Sequence, residues 1–550
     1  MSTRSEEDPA ASLSAGTWED NARASEARSD RYMVGSSHPT VSATGAAVLE
    51  AGGSAGDAAL AMAAMCFVAI PGMCGVGGDV FCVWYEAETG RYRAVQGSGV
   101  GPDGADVDFY RQRGFEAVPV GGPLSVTVPG AMAAIETLHR EIGTRPLAEL
   151  FAPAVAAARD GLPATDGLRE DVTDAREKLA ADEAAAAVYL PGGEPPLPGA
   201  TFRQPDLAAT IERLAAAPTD FYRGELAERC LRALTAAGAP FSGREWRDTR
   251  AEPTETITGT YSDHTVHENR PPSQGYMVLQ QAAVLDGVLS ELPWLDGRAL
   301  RWFAGAATLA FADRRRLAGS DSRGWEDLLA PEIAERARAA LEADPLPTVP
   351  SSIGTGDTTS VVAVDGRGNA VSFICSLAYS FGSGLMVPGT GIVMNDRLGR
   401  GAYLHPDHPN GLRPGRRPMH TLNAWIAAAP TGRPAFVGNT PGGDGQVQWN
   451  MQVLSHLLDH DAGPGRAAAA PRLTLFPGSD ADAVGVRPEV RCESRFNDTA
   501  LEELRRAGAT VVVQEPWGND GSVQVVAIDA AGGGLCGASD PRGGGVALGG

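Results

Sequence analysis

A chain of 550 residues, 43% hydrophobic and 21% charged, carries enough apolar material for a substantial core, which excludes a disordered polymer and a single small domain. Its formal charge of −22, with no basic run longer than Arg314-Arg315-Arg316, argues against nucleic acid or an anionic membrane as partner and leaves a small molecule as the expected one. The seven cysteines show neither a CxxC pair nor a metal-type spacing, so buried free thiols are expected rather than a disulfide framework or a zinc site.

Residues 1–30 are polar, lack the apolar stretch of a secretion signal or membrane anchor, and read as a flexible tail on a cytoplasmic chain. Over 38–70 apolar residues recur at helical spacing on either side of Gly52-Gly53, which predicts two helices joined by a glycine turn. The cluster Gly75-Val76-Gly77-Gly78-Asp79 precedes a run of β-formers at 80–85, expected to be a buried strand, and a second strand is expected at 92–96 after the turn at Thr89-Gly90. From Pro129 to about Asp344 the pattern is mainly helical, broken at proline-rich loops such as 191–198 and 270–275. The Pro, Ser and Gly stretch 344–356 reads as an exposed linker. Beyond it, 359–364 and 370–375 predict a hairpin, and 511–514 with 523–528 predict a further strand pair. Helices and strands cluster rather than alternate, so a layered α+β sandwich is expected in place of a doubly wound parallel sheet.

The block 357–372, DTTSVVAVDGRGNAVS, running on into FGSG at 381–384 and PGTGIVMN at 388–395, resembles the signature of the γ-glutamyltransferase family. Further blocks fall in the family's order: SSHP at 36–39, GVGGD at 75–79, VPG at 128–130, FRQPD at 202–206, FYRG at 221–224, PGG at 441–443 and GASDPR at 537–542. The resemblance spans residues 32 to 548 and rests on several ordered blocks, not on one glycine motif. It implies the four-layer αββα sandwich of the N-terminal-nucleophile hydrolases. It also implies a precursor that cuts itself between Asp357 and Thr358 into a large subunit, 31–357, and a small subunit, 358–550, intertwined in one domain.

A threonine hydroxyl needs a neighbouring base, and an N-terminal threonine carries one in its own α-amine, whose ordinary pKa of about 8 leaves a useful neutral fraction. Taken alone, Thr358-Thr359 is an ordinary strand start; within the family pattern Thr358 is the expected nucleophile. The resemblance implies that the Ser376 hydroxyl supports it and that Gly442 and Gly443 offer backbone N–H groups to the tetrahedral oxygen. The plainer readings are a strand hydrogen bond for Ser376 and a Gly-Gly turn for the loop. Gly77-Gly78 reads as structural.

The family holds a substrate α-carboxylate with an arginine and two hydroxyl residues, and the α-amine with an acid and amides. Here Ser98 or Val100 stands at the arginine position, Ala378 replaces an asparagine, and His420-Thr421 replaces a Ser-Ser pair. Arg397 and Arg400 occupy the places of a glutamine and the amine-binding aspartate. Cations there repel an ammonium and hold planar anions at two points, unless both arginines are surface residues paired with acids such as Asp396. His420 is then a hydrogen-bond donor, a proton carrier or a packing residue.

This pattern implies a small substrate with a carboxylate or oxo-acid group beside the bond cleaved, in specialised metabolism or small-molecule catabolism. That bond is C–N in relatives resembling oxamate amidohydrolase and C–C in the homologues of antibiotic pathways to 4-alkylproline units. An authentic γ-glutamyltransferase and a non-catalytic binding protein on the same fold are the alternatives. No metal, nucleotide or flavin is called for, because the nine histidines form no cluster and no phosphate-cradling motif occurs.

Overall fold

The computed structural model describes residues 18–317, 319, 323–344, 346, 357–476, 489–529 and 534–550. Its main strands are β1 (Glu26–Ser29), β2 (Met33–Ser36), β3 (Asp79–Glu86), β4 (Arg91–Gly97), β5 (Pro253–Glu255), β6 (Ile257–Tyr261) and β7 (His264–Glu268). The later part of the chain adds β8 (Asp357–Val364), β9 (Ala370–Ala378), β10 (Trp425–Ala428), β11 (Pro434–Asn439), β12 (Gln524–Ile528), β13 (Leu535–Ser539) and β14 (Val546–Gly549). Two seven-stranded sheets result, in the orders β1-β13-β12-β11-β10-β7-β6 and β14-β2-β8-β9-β3-β4-β5. Every pairing within them is antiparallel.

The sheets stack face to face. Phe81, Val83, Val362, Ile374, Ile426 and Val437 fill the space between them, alternate residues of each strand pointing inward as the pleat requires. The opposite face of the second sheet, with Val361, Ala363, Phe373 and Cys375, packs under helices α2 (Pro39–Glu50), α3 (Ala55–Ala69), α4 (Ala131–Ile142), α5 (Leu147–Asp160) and α6 (Pro205–Ala216). The outer face of the first sheet packs under α7 (Gly275–Leu285), α8 (Gly297–Leu317) and α10 (Gly445–Leu458), with the short α9 (Arg397–Gly401) between them in sequence. The four layers are therefore α, β, β, α, the sandwich that the family resemblance implies. Helix α3 is buried along its whole length, which its alanine-rich sequence permits by letting neighbouring backbones approach. A reciprocal capping box between Ser54 and Asp57 starts it.

Two sequence expectations are corrected. Residues 18–29 are not a loose tail: Ala22 of α1 (Trp18–Ala24) is buried, Trp18 meets Trp294 edge-on at 5.7 Å, and β1 pairs with β13. The rest of that tail lies outside the described residues, as does the linker expected at 344–356 apart from Asp344 and Leu346. The middle third is mainly helical, as expected, and also carries three short strands: β6 and β7 form a local hairpin, while β5 pairs with β4 and β7 with β10 across long stretches of sequence. The strands at 511–514 and 524–528 exist but do not pair. The first runs parallel to Glu489–Glu493 in a separate three-stranded sheet, while β12 sits between β11 and β13. No helix among the described residues is long and apolar enough to cross a membrane.

Glu268, the last residue of β7, is fully buried. Its Oε2 accepts only the Asn269 N–H, at 3.3 Å, and its Oε1 has no hydrogen-bond partner among the described residues. Burial pushes its carboxyl well above the usual range. A carboxyl raised by folding lends stability that is complete below the unfolded-state pKa and lost as pH rises towards the folded one. Glu268→Gln is therefore expected to match the parent in thermal melts near pH 4 and to exceed it by about 1–3 kcal/mol at pH 8. Identical melting curves at pH 8 would refute this.

Candidate functional site

At one end of the sandwich the chain leaves β9 and β11 and enters β3, β8 and β10, and the candidate residues gather there. Thr358, the second residue of β8, lies where the register slips: Asp357 pairs with Ala378 and Thr359 with Cys375, so two residues of β9 face one of β8. Such a bulge re-aims side chains next to functional sites. The Thr358 hydroxyl donates to Ser376 Oγ at 3.2 Å, and Ser376 Oγ accepts the Ala378 N–H at 2.8 Å. Ala378 adopts a φ of +93°, a conformation that a residue with a β-carbon takes up only under constraint from its surroundings. Asp79 stands opposite Ser376 in the ladder. Gly78 approaches the Ser376 carbonyl so closely that a β-carbon would collide with it, which gives Gly77-Gly78 the packing role expected of it.

Arg397 and Arg400 lie on α9 and are 1% and 2% exposed, which removes the surface reading. Arg397 Nη1 donates to Thr421 Oγ1 at 3.4 Å, and its Nε lies 3.6 Å from Asp79 Oδ2. Arg400 Nη1 donates to the Ala378 carbonyl at 3.2 Å, and its guanidinium stacks 4.7 Å above the Tyr379 ring. Both arginines therefore sit one residue away from the Thr358–Ser376 pair. Burial pushes the Asp396 carboxyl up to about 6, against the pull of Lys178, the Tyr379 N–H, Arg397 and Arg400.

His420 is fixed on both sides. Its Nδ1 accepts the Leu422 N–H at 3.2 Å, which leaves the ring proton on Nε2 for donation to Asp79 Oδ2 at 3.0 Å. Burial first, and Arg397 after it, hold the ring's pKa down at about 4, so it is neutral near pH 7. With both nitrogens engaged, His420 acts on Asp79 and through it on Arg397. A narrow recess lined by Gln274, Tyr276, Arg314 and Met419 reaches His420.

Pro441-Gly442-Gly443 leads into the N-terminus of α10. Gly442 and Gly443 have φ of +117° and +54°, and a β-carbon on Gly442 would strike the Trp449 ring, so the turn demands glycine. Their carbonyls accept the N–H groups of Gly445 and Gln446, while their own N–H groups have no hydrogen-bond acceptor among the described residues. The loop is tied to the rest of the site through Gln274, whose Nε2 donates to the carbonyls of Thr421 and Gly443.

Sequence reasoning assigned no role to Asp79, Lys178, Gln274 or Arg417. Lys178 Nζ donates to the carbonyls of Ser380 and Gly382, both at 2.9 Å. Arg417 Nε donates to the Ser98 carbonyl at 2.8 Å, which brings a guanidinium to the segment that lacks one. Val100 packs against the helix-side core. Of these four, only Asp79 lies inside one of the family blocks; the others sit 100 residues or more from their partners' motifs, beyond any local signal.

The gamma-glutamyltranspeptidase family model matches residues 41–550. The chain is 32% identical over 534 residues to the oxamate amidohydrolase proenzyme of Klebsiella pneumoniae, covering 94% of this chain and 98% of that protein. It is 29% identical over 528 residues to the glutathione hydrolase-like YwrD proenzyme of Bacillus subtilis, again covering 94% and 98%. The solved structure of a cephalosporin acylase from Bacillus halodurans aligns with a TM-score of 0.86 at 29% identity, covering 95% of this chain and 96% of that one.

Proposed function

The chain belongs to the gamma-glutamyltranspeptidase family and is a self-processing N-terminal-nucleophile hydrolase, and from that premise we propose that it removes a short oxamate-like or oxo-acid acyl group from a small carboxylated metabolite. A cut between Asp357 and Thr358 separates the residues up to 357 from the 358–550 subunit and frees the Thr358 α-amine. That amine takes the hydroxyl proton as Oγ1 attacks the substrate carbonyl, and Ser376 orients the hydroxyl. The Gly442 and Gly443 N–H groups receive the oxyanion. Collapse of the tetrahedral intermediate expels the leaving group with the proton held on the α-amine, and water then hydrolyses the threonyl ester by the same path in reverse. An amine leaves with that proton, whereas a carbon leaving group takes the C–C electron pair, its charge delocalised within its own fragment and quenched by the same proton.

The observation that carries the substrate class is the pair of buried arginines, Arg397 and Arg400, beside the nucleophile's strands. In this reading Arg400 receives the substrate carboxylate, while Arg397 is steadied by Asp79, His420 and Thr421. An α-ammonium brought to the same place meets two guanidinium groups and Lys178, which disfavours a γ-glutamyl substrate.

Parallel assays of the purified protein with oxamate and with a γ-glutamyl anilide test this reading. Oxamate turnover without anilide turnover is expected, and the reverse result would overturn the substrate class. The pH dependence adds a second check. As pH falls through about 6, Asp396 gains a proton and the pocket, bounded by Lys178, Arg397, Arg400 and Asp79, becomes more positive. The substrate carboxylate stays ionised, so KM should fall, while kcat drops as the α-amine protonates. A KM independent of pH between 5 and 7.5 would count against a substrate anion in this pocket.

A further inference from the structure

We propose that Gln274, held by Arg314, is a positioning residue that fixes the Gly442-Gly443 loop; the inference rests on the oxyanion role given to that loop above. Gln274 is buried immediately before α7. Its Nε2 donates to Thr421 O at 2.8 Å and to Gly443 O at 3.1 Å, and its Oε1 accepts Arg314 Nη1 at 2.9 Å. Arg314, in the last turn of α8, also forms a buried ion pair with Asp444, the residue after Gly443. A closed ring results: the Gln274 amide, the Gly443 carbonyl, Asp444, Arg314, and back to Gln274. The amide has one possible orientation, because turning it over would set its oxygen against two carbonyl oxygens and its hydrogens against a guanidinium.

The loop needs such a brace. Two consecutive glycines let backbone N–H groups approach a substrate, but they also let the peptide planes rotate among several wells. An oxyanion site works only when its donors are fixed before the charge develops. Gln274 pins the 443–444 peptide through its carbonyl, and the Arg314–Asp444 pair pins the next residue at the start of α10. The same Nε2 group reaches Thr421, whose hydroxyl accepts Arg397 Nη1. One amide therefore sets the spacing between the oxyanion loop and Arg397. Both amide hydrogens are spent on the protein, so Gln274 acts through the loop and not on the substrate.

Gln274→Met keeps the volume while removing both N–H donors, and Gln274→Glu sets an oxygen against the two carbonyls. In the cleaved full-length protein, amide hydrogen exchange over 441–446 is expected to speed up about tenfold or more in both variants. The kcat on whichever amide the parent turns over should fall about 30- to 100-fold, approaching the cost of losing one oxyanion donor, with KM within about threefold. Unchanged exchange over 441–446, a kcat within twofold of the parent, or a loss of activity that merely tracks a lower folded fraction overturns the proposal. Should the parent turn over no carboxylated amide, the substrate reading fails by itself, while the exchange measurement still decides whether Gln274 holds the loop.

Discussion

Replacing Thr358 with alanine is expected to leave the chain uncut and to lower turnover by at least about 10⁴-fold, because the attacking oxygen and the residue meant to become the new N-terminus disappear together. The fold should survive. The hydroxyl bonds Ser376 at 3.2 Å, and the threonine methyl lies in a strand held by two neighbours, β2 and β9. Gel analysis shows one band or two, and a thermal melt within a few degrees of the parent shows that the loss is chemical. Thr358→Ser keeps the oxygen and should still cut. Full turnover by a folded Thr358→Ala protein would end the mechanism.

The second large effect concerns Arg400. Arg400→Gln removes the charge while keeping a planar donor, and should cost roughly 10²- to 10³-fold in kcat/KM for a carboxylated amide, the range found when one partner of a desolvated charge pair is removed. The loss should fall mainly on KM, because the arginine grips a part of the substrate that does not react. Self-cleavage at Thr358 separates this role from general damage: the two bands should still form. A KM within twofold of the parent would move Arg400 from substrate binding to support of the Ala378 carbonyl and the Tyr379 ring.

The parts of this molecule legible in the sequence are those that depend on neighbours along the chain. The β8–β9 hairpin, the α2–α3 pair around its glycine turn and the β3–β4 ladder all follow from local periodicity and turn chemistry. The family blocks point to Thr358 and to the glycine loop, which no periodicity reveals. What stayed hidden depends on residues brought together from far apart. Asp79 meets His420 across 341 residues of sequence, and Gln274 meets Gly443 across 169. His420 looks like a candidate ligand when read beside Thr421 alone. Once Leu422 and Asp79 are seen to occupy both ring nitrogens, it is a strut. The strands at 511–514 and 524–528 were matched because they are close in sequence and alike in composition, yet sheet pairing follows space and not sequence.

Strands from the two sides of residue 357 pair with one another in both sheets: β1 pairs with β13, β7 with β10, β2 with both β8 and β14, and β3 with β9. With the proposed cut between Asp357 and Thr358, the two pieces are interlaced like clasped fingers, and neither can be withdrawn without breaking hydrogen bonds in both sheets at once. Denaturation would then be a one-way event. Folding of the intact precursor enjoys the proximity that a continuous chain enforces, whereas two separated fragments would have to find each other as strangers. The covalent bond is in effect an assembly jig that is discarded after use, and the mature catalyst owes its persistence to a high barrier against coming apart.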